Sequence, residues 1–186
     1  MIPADWPLGE YAAIVADPPW HYATWSEAGR DRCPDYPTMP LDEIAALPVP
    51  MIAAEDCVLF LWAVDPMLPQ ALDLIRAWGF TYKTVAFTWV KLNPSGVGVH
   101  MGPGHWTRAN PEPCLLATRG RPHRQSRGVR QLIIAPRREH SRKPDSLLSR
   151  VESLVSGPYC ELFARTRRPG WTSWGNDLDR FPALAG

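Results

Sequence analysis

The sequence lacks the patterns that mark membrane and secreted proteins. It has no apolar run of roughly 18 residues, so no transmembrane helix is expected. Its N-terminus has no basic region followed by an apolar stretch, which argues against a secretory signal. The apolar fraction of 45% is that of a globular protein, and 186 residues fit a single domain over residues 1–186. We therefore predict a cytoplasmic protein that does not enter a membrane.

Cysteine is scarce, histidine is scattered, and neither has the spacing of a metal site. The chain has four cysteines and five histidines, with no CxxC, HxxxH or HExxH pattern. We expect no metal site, and we expect the cysteines to act as small buried hydrophobic residues in a reducing compartment. The four are Cys33, Cys57, Cys114 and Cys160.

Acidic residues are nearly absent from the stretch between Arg119 and Lys143, where Glu139 stands against nine basic residues. The net charge of the whole chain is only +1, so the rest of the protein is acidic. A basic stretch inside a balanced protein indicates a surface that faces a polyanion. We predict that its loop residues Arg124 and Arg127 contact nucleic acid. The alternative is a solvated loop whose arginines only keep the protein soluble.

The four residues Asp17-Pro18-Pro19-Trp20 directly follow an apolar run at residues 11–16 that predicts a buried strand. Proline fixes φ and removes a backbone donor, so the carbonyls of this segment are held in place outside any helix. A carboxylate beside such carbonyls can accept both hydrogens of an amino group, and an indole can stack on the attached ring. The pattern favours a site for adenine or cytosine and chemistry at the exocyclic nitrogen. The alternative is an ordinary turn at the end of a strand.

Apolar strands alternate with helical segments along the chain. This alternation predicts an α/β fold with a mostly parallel sheet and helices on both faces, in which ligands bind beyond the carboxyl ends of the strands. The GxGxxG fingerprint of ordinary dinucleotide sites is missing. The predicted strands are residues 11–16, 57–63, 83–90, 113–118, 131–135, 159–164 and 171–174. The predicted helices are 38–47, 66–78 and 143–155, and long loops are expected at about 21–37, 91–112 and 119–142.

Six sequence blocks occur in an order that resembles a known enzyme family. They are Asp17–Trp20, Phe87–Lys91, Gly104–Trp106, Ser141–Asp145, Glu161–Arg165 and Trp171–Asn176. The chain is similar, over about residues 11 to 181, to the family of the catalytic subunit of the mRNA N6-adenosine methyltransferase. That family also contains bacterial and phage DNA adenine methyltransferases. The resemblance implies a Rossmann-like fold that uses S-adenosylmethionine and has its catalytic strand before the cofactor-binding strands.

The resemblance also implies functional residues, position by position. The catalytic motif is expected to be Asp17, Pro18, Pro19 and Trp20. Cofactor contacts are expected from Asp17, Lys143, Glu161, Arg165, Asn176 and Asp177. Substrate contacts are expected from Trp20, Tyr36, Lys91, His105 and Trp106, with Arg124 and Arg127 added from the basic stretch. The chain departs from the mRNA enzyme at Asp177, which replaces a glutamine, and at Arg167-Arg168, which replace a His-Asn pair.

The residue types alone leave simpler interpretations open for several of these positions. Lys143 is also compatible with a solvent-facing lysine at a helix start, and Glu161 with an outward-facing strand residue. Asn176 and Asp177 are compatible with a plain turn, as is the Asn110–Glu112 segment. Three further tryptophans lie in apolar strands or on a helix face, and we expect them in the core: Trp62, Trp78 and Trp174.

The predicted chemistry makes a poor nucleophile reactive. The lone pair of an aromatic amine is delocalised, and acceptors on both of its hydrogens favour a pyramidal nitrogen with that pair free for attack. Asp17 and the Pro18 carbonyl are the expected acceptors, and the Asp17 carboxylate would stabilise the positive charge that develops. Trp20 is expected to stack on the base, so catalysis is by positioning more than by proton abstraction. A target in a duplex must first be flipped out.

We favour DNA over RNA as the substrate, because the sequence shows no added RNA-binding module and small members of the family are bacterial or phage proteins. RNA methylation is the alternative. A second alternative is a catalytically silent nucleic-acid-binding subunit, although Asp17 and Trp20 are both intact. A proline-rich interaction protein is disfavoured by the apolar strands. Both a monomer and a homodimer are compatible with the sequence.

Overall fold

The computed structural model describes residues 3–21, 38–104, 106–139, 142–178 and 180–183. Its strands are β1 (Tyr11–Ala16), β2 (Ala53–Trp62), β3 (Thr81–Leu92), β4 (Pro111–Arg119), β5 (Leu132–Pro136), β6 (Tyr159–Leu162) and β7 (Trp171–Trp174). Its helices are α1 (Leu41–Ala45), α2 (Val49–Ile52), α3 (Leu68–Ala77) and α4 (Ser146–Leu154), with a 3-10 turn at Asp65–Met67. None of the helices in the described ranges is long and apolar enough to cross a bilayer.

The strands form one sheet in the order β5-β3-β4-β2-β1-β6-β7. β1 runs parallel to β2 and β6, β6 runs parallel to β7, and β3 runs parallel to β5. β4 is antiparallel to both of its neighbours, β2 and β3. The predicted mostly parallel α/β sheet is therefore confirmed, with one reversed strand inside it.

Helices cover both faces of the sheet, as predicted. On one face, α3 buries Ala71, Leu74 and Ile75, with Trp78 directly after it, at the spacing of an amphipathic helix. On the other face, α4 buries Leu148 and its neighbours against the sheet. β1 contributes Ile14 to the first core and Val15 to the second, which explains why its sequence is apolar without alternation.

The tryptophans and cysteines expected in the core lie there. Trp62, Trp78 and Trp174 are all buried. Burial raises the pKa of the thiols of Cys57 and Cys160 to about 12, so both are neutral near pH 7. Cys114 is buried as well, whereas Cys33 lies outside the described residues.

Several predicted boundaries differ from the structure, and two of them have a local reason. The helix predicted from Lys143 begins at Ser146, because Pro144 disfavours helical backbone in the residue before it. Lys143 therefore lies in the segment that leads into α4. The strand predicted to reach Ala164 ends at Leu162, and the next residue, Phe163, has a φ of 61°, outside the β region. The strand predicted from Cys57 begins at Ala53, and the helix predicted over 38–47 covers only Leu41–Ala45.

We call the end of the sheet where most strands stop the carboxyl edge and the other end the opposite edge. β1, β2, β6 and β7 all end at the carboxyl edge, as the pairings of Ala16 with Leu61 and Leu162, and of Leu162 with Trp174, show. Because β4 is reversed, it starts at the carboxyl edge and ends toward the opposite edge, where Arg119 pairs with Cys57 in the first half of β2. The topology therefore brings the residue after β1 close to the beginning of β4.

Candidate active site

The turn after β1 is held by main-chain hydrogen bonds. The Pro18 carbonyl accepts the Trp20 N–H at 2.8 Å, and the Pro19 carbonyl accepts the Met39 N–H at 2.9 Å. A carbonyl oxygen has two lone pairs, so Pro18 retains one for a further donor. The turn therefore presents the Asp17 side chain and the Pro18 carbonyl in fixed positions.

The side chain of Asp17 ends a row of four alternating charges, which we call the charge ladder: Lys91, Glu112, Lys143 and Asp17. Lys143 Nζ donates to the two carboxylate oxygens of Asp17 at 2.9 and 2.8 Å, and it lies 2.8 Å from Glu112 Oε1. The other Glu112 oxygen lies 2.6 Å from Lys91 Nζ. Two cations thus balance two carboxylates in a partly buried row along the carboxyl edge of the sheet.

Three residues of the charge ladder have shifted pKa values. Burial works to raise the pKa of Glu112, but Lys143 and Lys91 outweigh it, and the pKa lies below its usual value. Burial raises the pKa of Asp17, assisted by Glu112 and opposed by Lys143. The pKa of Lys143 is raised, because its two carboxylate partners overcome the effect of burial. Lys143 is therefore a permanent cation between the two acids.

Glu112 is not among the predicted site residues. The sequence favours a turn at this position, yet the Glu112 side chain is only 10% exposed and forms ion pairs with both lysines of the charge ladder. The sequence shows only one acidic residue next to an apolar strand. Glu112 reaches the two lysines because β4 runs antiparallel to its neighbours, and this direction cannot be inferred from the local sequence, since a long loop separates β3 from β4.

A cleft opens beside Asp17 between the end of β6 and the start of α4. Its enclosed part measures only about 50 Å³, room for a few water molecules, so a larger molecule would occupy the cleft together with its opening to solvent. Phe163 lines it from a positive-φ conformation that is strained for a residue other than glycine. The other walls include Trp62, Arg142, Lys143, Leu147, Leu148, Glu161, Arg165 and Phe181.

Two buried polar atoms in the cleft have no hydrogen-bond partner among the described residues. They are Glu161 Oε2 and Arg142 Nε. Unsatisfied buried polar atoms are costly, and in a native protein they commonly indicate a ligand or water. The cleft thus offers one acidic and one basic position to a bound molecule.

Glu161 should make stability depend on pH. Burial, with Asp17 as a second cause, raises its pKa from 4.5 to about 8. Between these values the unfolded chain releases a proton that the folded protein retains, so the free energy of unfolding falls as pH rises, by up to about 1.4 kcal/mol per pH unit. Glu161→Gln removes this pH-dependent contribution to the free energy of unfolding. Urea unfolding at pH 5 and pH 8 should therefore show the variant more stable, relative to wild type, at pH 8 than at pH 5. The exposed Glu55→Gln is the control, and parallel profiles for wild type and Glu161→Gln would contradict the assignment.

The structure groups some of the predicted cofactor residues and separates others. Lys143, Glu161 and Arg165 line the cleft together with Asp17. Asn176 and Asp177 follow β7 at the same edge of the sheet, but they are exposed and do not line this cleft. Asp177 forms an ion pair with Arg180 at 2.8 Å. Cofactor contacts from these two positions stay a prediction.

Trp20 is less accessible than a base-stacking platform should be. The residue is 5% exposed and packs in the core, and its indole Nε1 donates to the Trp62 carbonyl at 3.2 Å. A base can stack on this indole only if its faces become more exposed than they are here. Stacking on Trp20 stays a prediction.

The predicted substrate residues fall into three groups. Lys91 belongs to the charge ladder, and Trp106 is 97% exposed on the loop between β3 and β4, which starts and ends at the carboxyl edge. Tyr36 and His105 lie outside the described residues. Arg124 and Arg127 do not line the cleft; their segment starts at the opposite edge, where the reversed β4 ends, and leads back to β5.

Comparison with known proteins gives a consistent result. The MT-A70 family model matches residues 11–177. The type II methyltransferase M.MunI of a Mycoplasma species is 34% identical, with 92% of this chain aligned to 79% of that protein. The N(6)-adenosine-methyltransferase MT-A70-like protein of Drosophila melanogaster is 34% identical, and the human N(6)-adenosine-methyltransferase catalytic subunit METTL3 is 32% identical. The chain spans less than a third of the length of these two animal relatives.

Proposed function

The chain belongs to the MT-A70 family of adenine N6-methyltransferases, and on this premise we propose that it methylates the 6-amino group of adenine in DNA. Members of the family use S-adenosylmethionine as the methyl donor, and the seven-stranded mixed sheet is consistent with the Rossmann-like fold of such enzymes. The observation that carries the proposal is the Asp17 carboxylate, which Lys143 fixes beside the cleft that contains the unpaired Glu161 Oε2.

The cleft fits the cofactor chemically. Glu161 Oε2, a buried acceptor without a partner, suits the hydroxyl or ammonium groups of S-adenosylmethionine. Arg165 suits its carboxylate, assisted by the positive charge of Lys143, whose three N–H groups are directed to Asp17 and Glu112. The rings of Phe163 and Phe181 suit its apolar and aromatic parts. When bound, the cofactor supplies a methyl carbon activated by its sulfonium. Lys143, Glu161 and Arg165 are the residues that would hold it.

The residues of the turn after β1 would prepare the adenine amine. Lys143 occupies one position on each Asp17 oxygen, and a carboxylate has about four, so Asp17 can still accept an amino hydrogen. The Pro18 carbonyl can accept the second hydrogen through its remaining lone pair. The two acceptors localise the nitrogen lone pair, and Asp17 stabilises the positive charge that forms at nitrogen. Catalysis then depends on the fixed geometry of the turn.

DNA is the favoured substrate because of the relatives. The chain aligns with about four fifths of a bacterial type II methyltransferase and with less than a third of METTL3. The family it resembles includes small bacterial and phage DNA adenine methyltransferases. RNA is the second candidate, supported by similar identity to the adenosine methyltransferases.

The proposal predicts one specific product. With cofactor labelled in its methyl group, we expect label in N6-methyladenine after digestion of DNA to nucleosides, at a level at least tenfold above that with RNA of the same sequence (about 1.4 kcal/mol of discrimination). Methylation of RNA alone would replace the DNA proposal with the second candidate. Binding of cofactor and nucleic acid without transfer to either would favour the silent-subunit alternative.

A further inference from the structure

Four arginines between β4 and β5 form an exposed basic surface, which we call the arginine surface: Arg121, Arg124, Arg127 and Arg130. They recur at every third position. Within the part of the chain that the structure describes, no ion pair joins any of them to a carboxylate. Five other arginines do have acidic partners, namely Arg76, Arg138, Arg142, Arg168 and Arg180, whereas Arg119 and Arg150 donate to backbone carbonyls.

The backbone that carries these arginines is anchored at several points. The Arg121 N–H donates to Asp56 Oδ1 at 2.6 Å, and the Gln125 N–H donates to the Leu154 carbonyl at 2.9 Å. Arg150 Nη1 donates to the carbonyls of Arg130 and Leu132 at 2.7 and 2.8 Å. The segment is thus tied to β2, α4 and β5, while its four guanidinium groups face solvent.

The composition of this segment favours a phosphate backbone over a protein partner. Its exposed residues are arginine, histidine, glutamine and glycine. Protein interfaces usually have an apolar or aromatic centre, which the exposed residues here do not supply. Arginine, in contrast, binds phosphate oxygens with two parallel hydrogen bonds.

The arginine surface begins far from the candidate active site. β4 runs from Glu112 of the charge ladder to Arg119, a span of about 24 Å at a strand rise of about 3.4 Å per residue, and Arg121 follows directly. The segment then returns along the sheet, because Trp89 pairs with Glu112 on one side and with Ile133 of β5 on the other. A duplex rises about 3.4 Å per base pair, so the longest span, that to Arg121, corresponds to about seven base pairs.

We propose that the arginine surface is a second DNA-binding site, which binds the phosphate backbone within about seven base pairs of the target adenine. The identity of the polyanion rests on the proposed function. The contact adds affinity and holds the duplex against the protein, but it reads no sequence, because phosphate contacts carry no base information. Its contribution depends on salt and on the length of the DNA.

The test compares Arg124→Gln/Arg127→Gln with wild type in binding to a labelled duplex of about 30 base pairs with adenine at its centre. Each lost phosphate contact lowers the slope of log affinity against log salt by about 0.9, so we expect the slope to fall by about 2. Arg124→Lys/Arg127→Lys keeps the charge and should retain most of the slope. Arg76→Gln, a neutralised arginine with its own acidic partner, should leave it unchanged.

The outcomes separate this inference from the proposed function. An unchanged slope in the double Gln variant overturns the inference, as does an equal effect of Arg76→Gln, even if the enzyme methylates DNA normally. A reduced slope supports the inference even if no methyl transfer is detected, in which case the proposed function fails alone. A reduced slope with RNA but an unchanged slope with DNA also overturns the proposal.

Discussion

Asp17→Asn is expected to reduce kcat/KM for methyl transfer by about 10²- to 10³-fold, the usual cost of removing one group that stabilises charge in the transition state. The amide keeps the shape of the side chain but loses the negative charge that faces the reacting nitrogen. Lys143 still pairs with Glu112 at 2.8 Å, so the variant should fold. Cofactor affinity, measured by calorimetry, should change by less than about tenfold, or 1.4 kcal/mol.

Two comparisons make the Asp17 result specific. Asp17→Glu keeps the charge but moves it by one methylene, and a misplacement of about 1 Å should cost about 10²-fold in rate. Asp73→Asn makes the same chemical change in an exposed pair with Arg76 and should leave the rate unaltered. Activity of Asp17→Asn within tenfold of wild type would show that Asp17 is not the acceptor of the amine (about 1.4 kcal/mol).

Lys143→Met is expected to destabilise the protein by about 3 kcal/mol at pH 7.5. The substitution removes the ion-pair partner of Asp17, leaving only the more distant charge of Arg165, and it leaves Glu112 paired with Lys91 alone. Breaking a buried ion pair costs about 3–5 kcal/mol, and the lower end applies because Asp17 keeps some exposure to solvent. Urea unfolding measures the loss directly. Cofactor binding should weaken as well, because the same ammonium lines the cleft.

The effect of Lys143→Met should depend on pH in a defined direction. Without Lys143, burial raises the pKa of Asp17 further above its value in the unfolded chain. The folded variant then binds a proton more readily than the unfolded chain, so it regains stability as pH falls from 7.5 to 5. Arg76→Met, in an exposed ion pair, should change stability by no more than about 1 kcal/mol at either pH. A pH-independent loss in Lys143→Met would show that lost packing, not unpaired charge, causes the destabilisation.

Much of the fold was predictable because it depends on local patterns. The run at residues 11–16 is apolar at every position except its polar-tipped first residue, Tyr11, and β1 is a strand over those residues, packed between two cores. The spacing of Leu72, Ile75 and Trp78 indicated α3, and Gly79, with a φ of 78°, ends it as expected. Most other boundaries lie within a few residues of the predicted ones. At Pro144 the helix begins later than predicted, and at Phe163 the strand ends earlier.

The candidate site was predictable only in part. Asp17, Lys143, Glu161 and Arg165 were identified from short blocks of sequence, and the structure brings them to one cleft. Glu112 escaped notice because its role comes from contacts with Lys91 and Lys143, which are distant in the sequence. The accessibility of Trp20 was also beyond prediction, since it depends on packing against Trp62.

The sequence by itself determined the α/β class, the position of the turn that carries Asp17, and the family. These follow from hydrophobic periodicity, from the fixed backbone of proline and from ordered motifs, all of which act over a few residues. Only the tertiary structure decided that β4 runs backwards through the sheet. That reversal places Glu112 beside Lys143, and it makes the segment with Arg124 and Arg127 start from the opposite edge. Strand direction is set by pairing across long loops, where the energy comes from contacts between residues far apart in the chain, so no local pattern encodes it.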